Sequence, residues 1–296
     1  MSYHDPWPRR LRAARRLAQA ALVPEVWRHG RVVPAYWWDG HPNFGDDLTP
    51  WLLPAYGVVP VHRMPQHARL VGVGSVLEFL PPEFDGVVWG SGLMSDAPHA
   101  LPHARVLAVR GALTRDRIGA TGETAFGDPG LLVSRRTRRP APRWEVGFVP
   151  HGHHRSHAGF AAVAAATPGS RVVNVHQGAR RTVREIAACR LVVTTSLHGL
   201  VAADAFGIPA VWTTLDPPLS GGDFKFRDYE SVVTPGRTRQ VLWQEGIVPA
   251  ELAAAAWSAD AETVAHLADG LERAIGRLDE EVRGLRRFPL GALVSD

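Results

Sequence analysis

The chain has one cysteine, Cys189, and one lysine, Lys225. A lone thiol excludes an intramolecular disulfide and makes a reducing, cytoplasmic setting the default expectation. With one lysine, nearly all the basicity behind a formal charge of +4 is arginine, whose planar fork grips phosphate and carboxylate bidentately. No apolar run approaches the roughly 20 residues needed to cross a bilayer. The stretch from Leu17 to Val23 is short and interrupted by Gln19, which argues against a signal peptide. The GxGxxG of a dinucleotide-binding turn is missing, and the dispersed charge carries no nucleic-acid-binding signature. The histidines around His151, His153, His154 and His157 fit no standard metal-ligand spacing and have no cysteine or carboxylate among them, so neither a metal nor a cofactor is expected. What is present is 296 residues, 45% hydrophobic and 21% charged, enough for one or two ordinary cores.

The most informative stretch runs from Cys189 to Trp212. Arg190 to Thr195 is a short β-branched run of the kind that forms a buried strand, Leu200 to Phe206 switches to helical spacing ended by Gly207, and Ile208 to Trp212 is apolar again. Ser196, Leu197, His198 and Gly199 fall at the strand-to-helix turn of this unit. In an open parallel sheet such turns bind ligands, and the helix start offers N–H groups and a positive dipole end to an anion. Histidine is the side chain best suited to move a proton there near neutral pH.

Similar turns recur along the chain. Residues Trp7 to Val23 form a basic helix carrying Arg9, Arg10, Arg12, Arg15 and Arg16, to be read either as a solvated face or as a contact with anionic lipid headgroups. Val32 to Trp37 is the first strand, handing over to a helix from Leu48 through Asn43, Gly45, Asp46 and Asp47. Gly45 permits close backbone approach to a ligand, and the two aspartates either cap the helix or hold sugar hydroxyls and act as a base. Gly74 and Ser75, then Gly90 and Ser91, end two further short strands and outline a shelf of small residues. Arg110 ends the strand Val106 to Val109, where it could clamp an anion. Asp128, before Pro129, is read as a turn residue bonding the backbone two positions on. Ser134 to Arg143 is the linker, with five arginines and two prolines in a stretch that lacks apolar periodicity. Beyond it, His151 follows the strand Trp144 to Val149, and Lys225 and Arg227 sit among aromatics in a Gly-opened loop, placed either for an anion or for a surface ion pair with Asp228. From Pro249 the chain reads as helix, with an apolar stripe from Val264 to Leu285 that must cover the body.

These elements predict an α/β protein with three parts: an N-terminal Rossmann-like doubly wound domain over 1–141, a second over 142–245, and C-terminal helices over 246–296. The order NFGDD, VGVGS, VWGSG, AVRGALTRDRIG, FGDPGLL, VPHGHH, TTSLHGLVAADAFGIP and FKFRDY, from Asn43 to about Tyr229, resembles the polysaccharide pyruvyl transferase family. That resemblance implies two domains in a GT-B-like arrangement, phosphoenolpyruvate as donor and a sugar diol of a cell-surface polysaccharide, free or lipid-linked, as acceptor. Family members commonly carry Arg-Leu-His at the central turn, whereas this chain has Ser196-Leu197-His198. His198 carries over directly and the arginine does not, which leaves Arg110, or else Lys225 or Arg227, to hold the donor's anionic groups. The chemistry of the transfer then makes His198 the expected acid for C3 of the enol and Asp46 the expected hydroxyl base. Asn43, Gly45, Asp47, Gly74, Ser75, Gly90, Ser91, His151, Ser196, Gly199, Lys225 and Arg227 are the substrate-binding candidates. The alternatives are a glycosyltransferase using a nucleotide sugar and a non-catalytic glycan-binding protein. The expected location is cytoplasmic, with peripheral membrane contact through the basic helix.

Overall fold

The computed structural model describes residues 9–290, so Trp7 lies outside the described residues. Two sheets, each parallel in its body, carry the fold. The first collects β1 (Arg31–Tyr36), β2 (Val58–His62), β3 (Leu70–Val71), β4 (Val87–Trp89), β5 (Arg105–Val109) and β6 (Ala125–Phe126). β1 to β3 to β4 to β5 to β6 are parallel neighbours in that order, and β2 pairs parallel with β1 on its other edge. The second sheet, from β7 (Trp144–Val149), β8 (Ser170–Val172), β9 (Cys189–Thr194) and β10 (Ala210–Trp212), has the order β10, β9, β7, β8 and is wholly parallel. The apolar runs predicted as buried strands are buried: Val192, Val193, Phe148 and Val211 are essentially inaccessible.

Helices fill the crossovers. They are α1 (Arg9–Ala21) and α2 (Pro24–His29) ahead of β1, α3 (Leu48–Leu52), α4 (Ala112–Ile118), α5 (Val133–Arg136), α6 (Ala158–Ala165), α7 (Ala179–Ala187), α8 (Leu197–Ala205), α9 (Phe224–Val233), α10 (Pro249–Ala255), α11 (Ala261–Gly276) and α12 (Leu278–Glu281). Parallel sheets with intervening helices are the expected Rossmann-like α/β class. The expected linker is short and pinned: α5 occupies part of it, Arg135 pairs with Asp269 on α11, and the Arg139 guanidinium donates to the carbonyls of Phe206 and Cys189.

Two expectations need correcting. The segment around Lys225 is the helix α9, not a loop, because it is buried on two sides: Phe224 packs into one core cluster while Phe226 and Tyr229, three apart on another side, pack into a second. The C-terminal region is not helical to its end: β11 (Arg286–Arg287) pairs antiparallel with β1. Before it, the apolar stripe of α11 covers the first sheet, with Leu271 and Ile275 in the same core as Trp89, whose Nε1 donates to the Leu271 carbonyl at 2.9 Å.

Candidate functional site

The carboxyl ends of strands from both sheets meet in one cleft enclosing about 520 Å³ of empty space, its mouth included. The turn after β9 contributes Ser196, Leu197 and His198, the start of α8. Asn43 and Asp46 come from the turn between β1 and α3, Ser75 from the end of β3, His151 from the end of β7 and Lys225 from the first turn of α9. Trp38, Val76, Phe79 and Met94 form an aromatic and apolar wall, Trp38 stacked on Phe79 at 5.7 Å.

His198 is buried, with Nε2 3.4 Å from Oδ2 of Asp128. Asp128 is fully buried and does bond the backbone two residues on, accepting from the Gly130 amide at 2.8 Å through Oδ1. Its second oxygen is thereby left for the imidazole, a role that the reading as a turn residue missed. The FGDPG motif predicts the turn; the approach of His198, 70 positions away in sequence, is tertiary.

Asp46 is held by Asn43, whose Nδ2 donates to Oδ2 at 2.5 Å while its Oδ1 accepts from the Gly45 amide. Burial, followed by the neighbouring Asp47 charge, pushes the Asp46 carboxyl well above the usual carboxylate range, against the opposing pull of Lys225. Lys225 is itself almost inaccessible and makes no hydrogen bond or ion pair among the described residues. Burial, and then the Arg110 charge, lower its ammonium to about 8. His151 accepts from the His153 amide through Nδ1, leaving its Nε2 as a donor in the neutral ring. Burial lowers this ring to about 2, so it stays neutral at any ordinary pH.

Several expected site residues are placed elsewhere. Arg110 does not face the cleft: it is fully buried, donating through Nε to Asp228 (2.8 Å), through Nη1 to Ser75 (2.5 Å) and through Nη2 to the Leu93 carbonyl (2.5 Å). Its guanidinium therefore ties α9, Ser75 and the strand end before Met94 together instead of presenting itself to an anion. Asp228 is its buried partner, not a surface partner of Lys225. Arg227 is on the surface, paired with Asp223 at 3.1 Å. Asp47 is bonded by Arg16 at 3.1 Å and stays off the cleft lining.

The glycines serve protein neighbours rather than a ligand. A Cβ on Gly45 would collide with the His198 ring, one on Gly74 would press on Asp46 Oδ1, and one on Gly90 would strike Pro129. Gly199 is closed off by Thr194 and Val149, and its amide is taken by the Ser196 carbonyl. Ser91 is buried, donating to the Gly74 carbonyl at 2.8 Å. Among the described residues no group of His, Cys, Asp or Glu side chains is arranged to hold a metal ion, and no helix is long and apolar enough to cross a membrane.

Fold and cleft thus define a parallel α/β protein with one unpaired buried cation, an imidazole and a carboxyl group gathered at strand ends. Residues 99–217 match the polysaccharide pyruvyl transferase family. It is 32% identical over 211 residues to the succinoglycan biosynthesis protein ExoV of Rhizobium meliloti, an alignment covering 66% of this chain and 63% of that protein. An uncharacterized protein of Acanthamoeba polyphaga mimivirus is 28% identical over 157 residues, 49% of this chain and 54% of that one. The chain therefore spans rather less than two thirds of the length of these relatives. A solved structure of a functionally uncharacterized protein from Klebsiella pneumoniae aligns with a TM-score of 0.43 at 12% identity, covering 77% of this chain and 98% of that one.

Proposed function

We propose that the protein transfers a pyruvyl group from phosphoenolpyruvate to a vicinal or 1,3-diol of a sugar in a polysaccharide or its lipid-linked precursor, forming a cyclic ketal and releasing phosphate. The observation that carries this reading is Lys225, a buried cation without a carboxylate partner, in the same cleft as His198, Asp46 and the start of α8. A charge buried at this cost is matched by an anionic ligand, and the positive end of α8 adds to the attraction. The two sheets, one on each side of the cleft, are read as two Rossmann-like domains in a GT-B-like arrangement, working in the cytoplasm.

The chemistry follows from proton placement. His198, as the imidazolium stabilised by Asp128, gives its proton to C3 of the enol while one acceptor hydroxyl adds to C2. Asp46, as carboxylate, takes the proton of that hydroxyl. Phosphate then leaves C2 with the proton from Asp46, and the second hydroxyl closes the ring, its proton returning to His198. Both hydroxyl protons are accounted for, one in the new methyl group and one on phosphate. Lys225 and the α8 start hold the donor's negative charge as it shifts to the leaving group. Trp38 and Phe79 offer a flat wall to the C–H face of the acceptor sugar, next to the Asn43 and Asp46 pair that suits its hydroxyls.

His198→Ala tests the reading. Phosphate release from phosphoenolpyruvate in the presence of acceptor should fall about 10²- to 10⁴-fold with the fold intact. Full release by this variant would refute the assignment.

A further inference from the structure

The helix α1 is mounted with two of its arginines inward. Arg12 and Arg16 bond Asp39 at 3.1 and 2.8 Å, and Arg16 lies over the Trp37 ring at 5.2 Å. The opposite face, at spacings of four, three and four, is Leu11, Arg15, Ala18 and, in the following turn, Leu22, all exposed. Leu22 keeps 83% of its surface in water and Leu11 49%. Around it stand Trp27 (60%) and Leu290 (74%), also uncovered. Trp27 is not a loose side chain: its Nε1 donates to the Ala21 carbonyl at 2.7 Å and its ring meets Phe288 edge-on at 5.1 Å. Interspersed are Arg10, Arg15, Arg28 and, in register with Val32 on the α1 side of β11, Arg286, all exposed and none paired with a carboxylate among the described residues.

A helix that turns Arg12 and Arg16 to the protein while leaving Leu11 and Leu22 in solvent is inverted at those positions for an aqueous surface. We infer that the surface formed by α1, the α1–α2 turn, α2 and β11 docks on an anionic lipid bilayer. Leu11, Leu22, Trp27 and Leu290 would enter the boundary between headgroups and acyl chains, with tryptophan in its preferred interfacial position. The four arginines would reach the lipid phosphates over their own apolar stems. A second copy of the chain is a poor occupant, because a two-fold contact would set arginine against arginine. The sequence-level alternative is corrected in one respect: Arg12 and Arg16 serve the protein, and the lipid-facing groups are the leucines, the tryptophan and a different set of arginines.

Sedimentation of the full chain with vesicles tests this. The wild type should pellet with vesicles of phosphatidylcholine and phosphatidylglycerol but not with phosphatidylcholine alone, and raising the salt should release it. Leu22→Ser combined with Trp27→Ser should weaken binding at least about tenfold, and Arg28→Ser with Arg286→Ser about tenfold or more, at about fivefold per arginine. Thermal melting of the variants should match the wild type, the changed side chains being exposed; Leu22→Ser alone serves if the double variant does not. The inference is overturned if the wild type stays in the supernatant, if neither pair of substitutions weakens binding, or if sizing shows a dimer that Leu22→Ser dissociates.

Discussion

Among the described residues, three lysine or arginine cations are buried, and two of them differ in kind from the third. Arg110 and Arg239 are both inaccessible and both saturated. Arg110 is held by Asp228, Ser75 and Leu93, and Arg239 by Asp204 through Nη1 and Nη2 and by Glu230 through Nε at 3.0 Å. Lys225, one helical turn before Asp228 on α9, is nearly as buried and has neither a hydrogen bond nor an ion pair among the described residues. The partners of Arg239 push its guanidinium further up, whereas burial and Arg110 bring Lys225 down to about 8. A paired buried cation binds the fold together. An unpaired one is tolerated at a cost, and the ligand that repays it defines the site.

The first way to break this contrast is on the fold. Arg239→Ala leaves Asp204 and Glu230 buried with no counter-charge and should cost about 3–5 kcal/mol. Arg110→Ala should behave alike by stranding Asp228. Lys225→Met, which removes an unsatisfied charge and keeps the volume, should leave denaturant stability unchanged or higher. Equal losses at all three positions would dissolve the distinction.

A smaller effect sharpens it at Asp46. This carboxyl's folded-state pKa is raised above its unfolded value, so the charged form opposes folding and stability falls as pH rises from the unfolded pKa towards the folded one. Asp46→Asn should therefore raise the melting temperature by about 2 °C at neutral pH, equivalent to about 1 kcal/mol, while turnover drops. A melting temperature that fell instead would mean that the Asn43 to Asp46 bond stabilises more than burial of the charge costs.

Much of this was legible in the chain before any coordinates. The apolar runs and the strand-to-helix turns put His198, Ser196, Asn43, Asp46, Ser75 and His151 at strand ends or near them, and parallel-sheet geometry brings these ends together; Lys225, read in a loop, arrives on the first turn of α9 instead. What was not legible depends on direction rather than position. Arg110 ends its strand as expected, but whether its fork points to a ligand or to Asp228 is decided by a helix 118 residues further on. The glycines mark close approaches correctly, yet the approaching group at Gly45 is an imidazole of the protein itself. Trp38, Phe79 and Met94 carry no motif, since a wall is assembled from side chains that look like ordinary core. The inverted face of α1 could not be read from a helix pattern alone, which shows where the arginines are grouped but not which side meets the body.

The most direct test of the central claim is calorimetric titration of phosphoenolpyruvate at pH 7 and pH 9, with wild type and Lys225→Met. With the ammonium near 8, wild-type affinity should be firm at pH 7 and fall about tenfold by pH 9 as the lysine loses its proton; the variant should bind weakly at both, without the pH dependence. Undiminished binding by Lys225→Met, or heat only with UDP- or GDP-sugars, would contradict it.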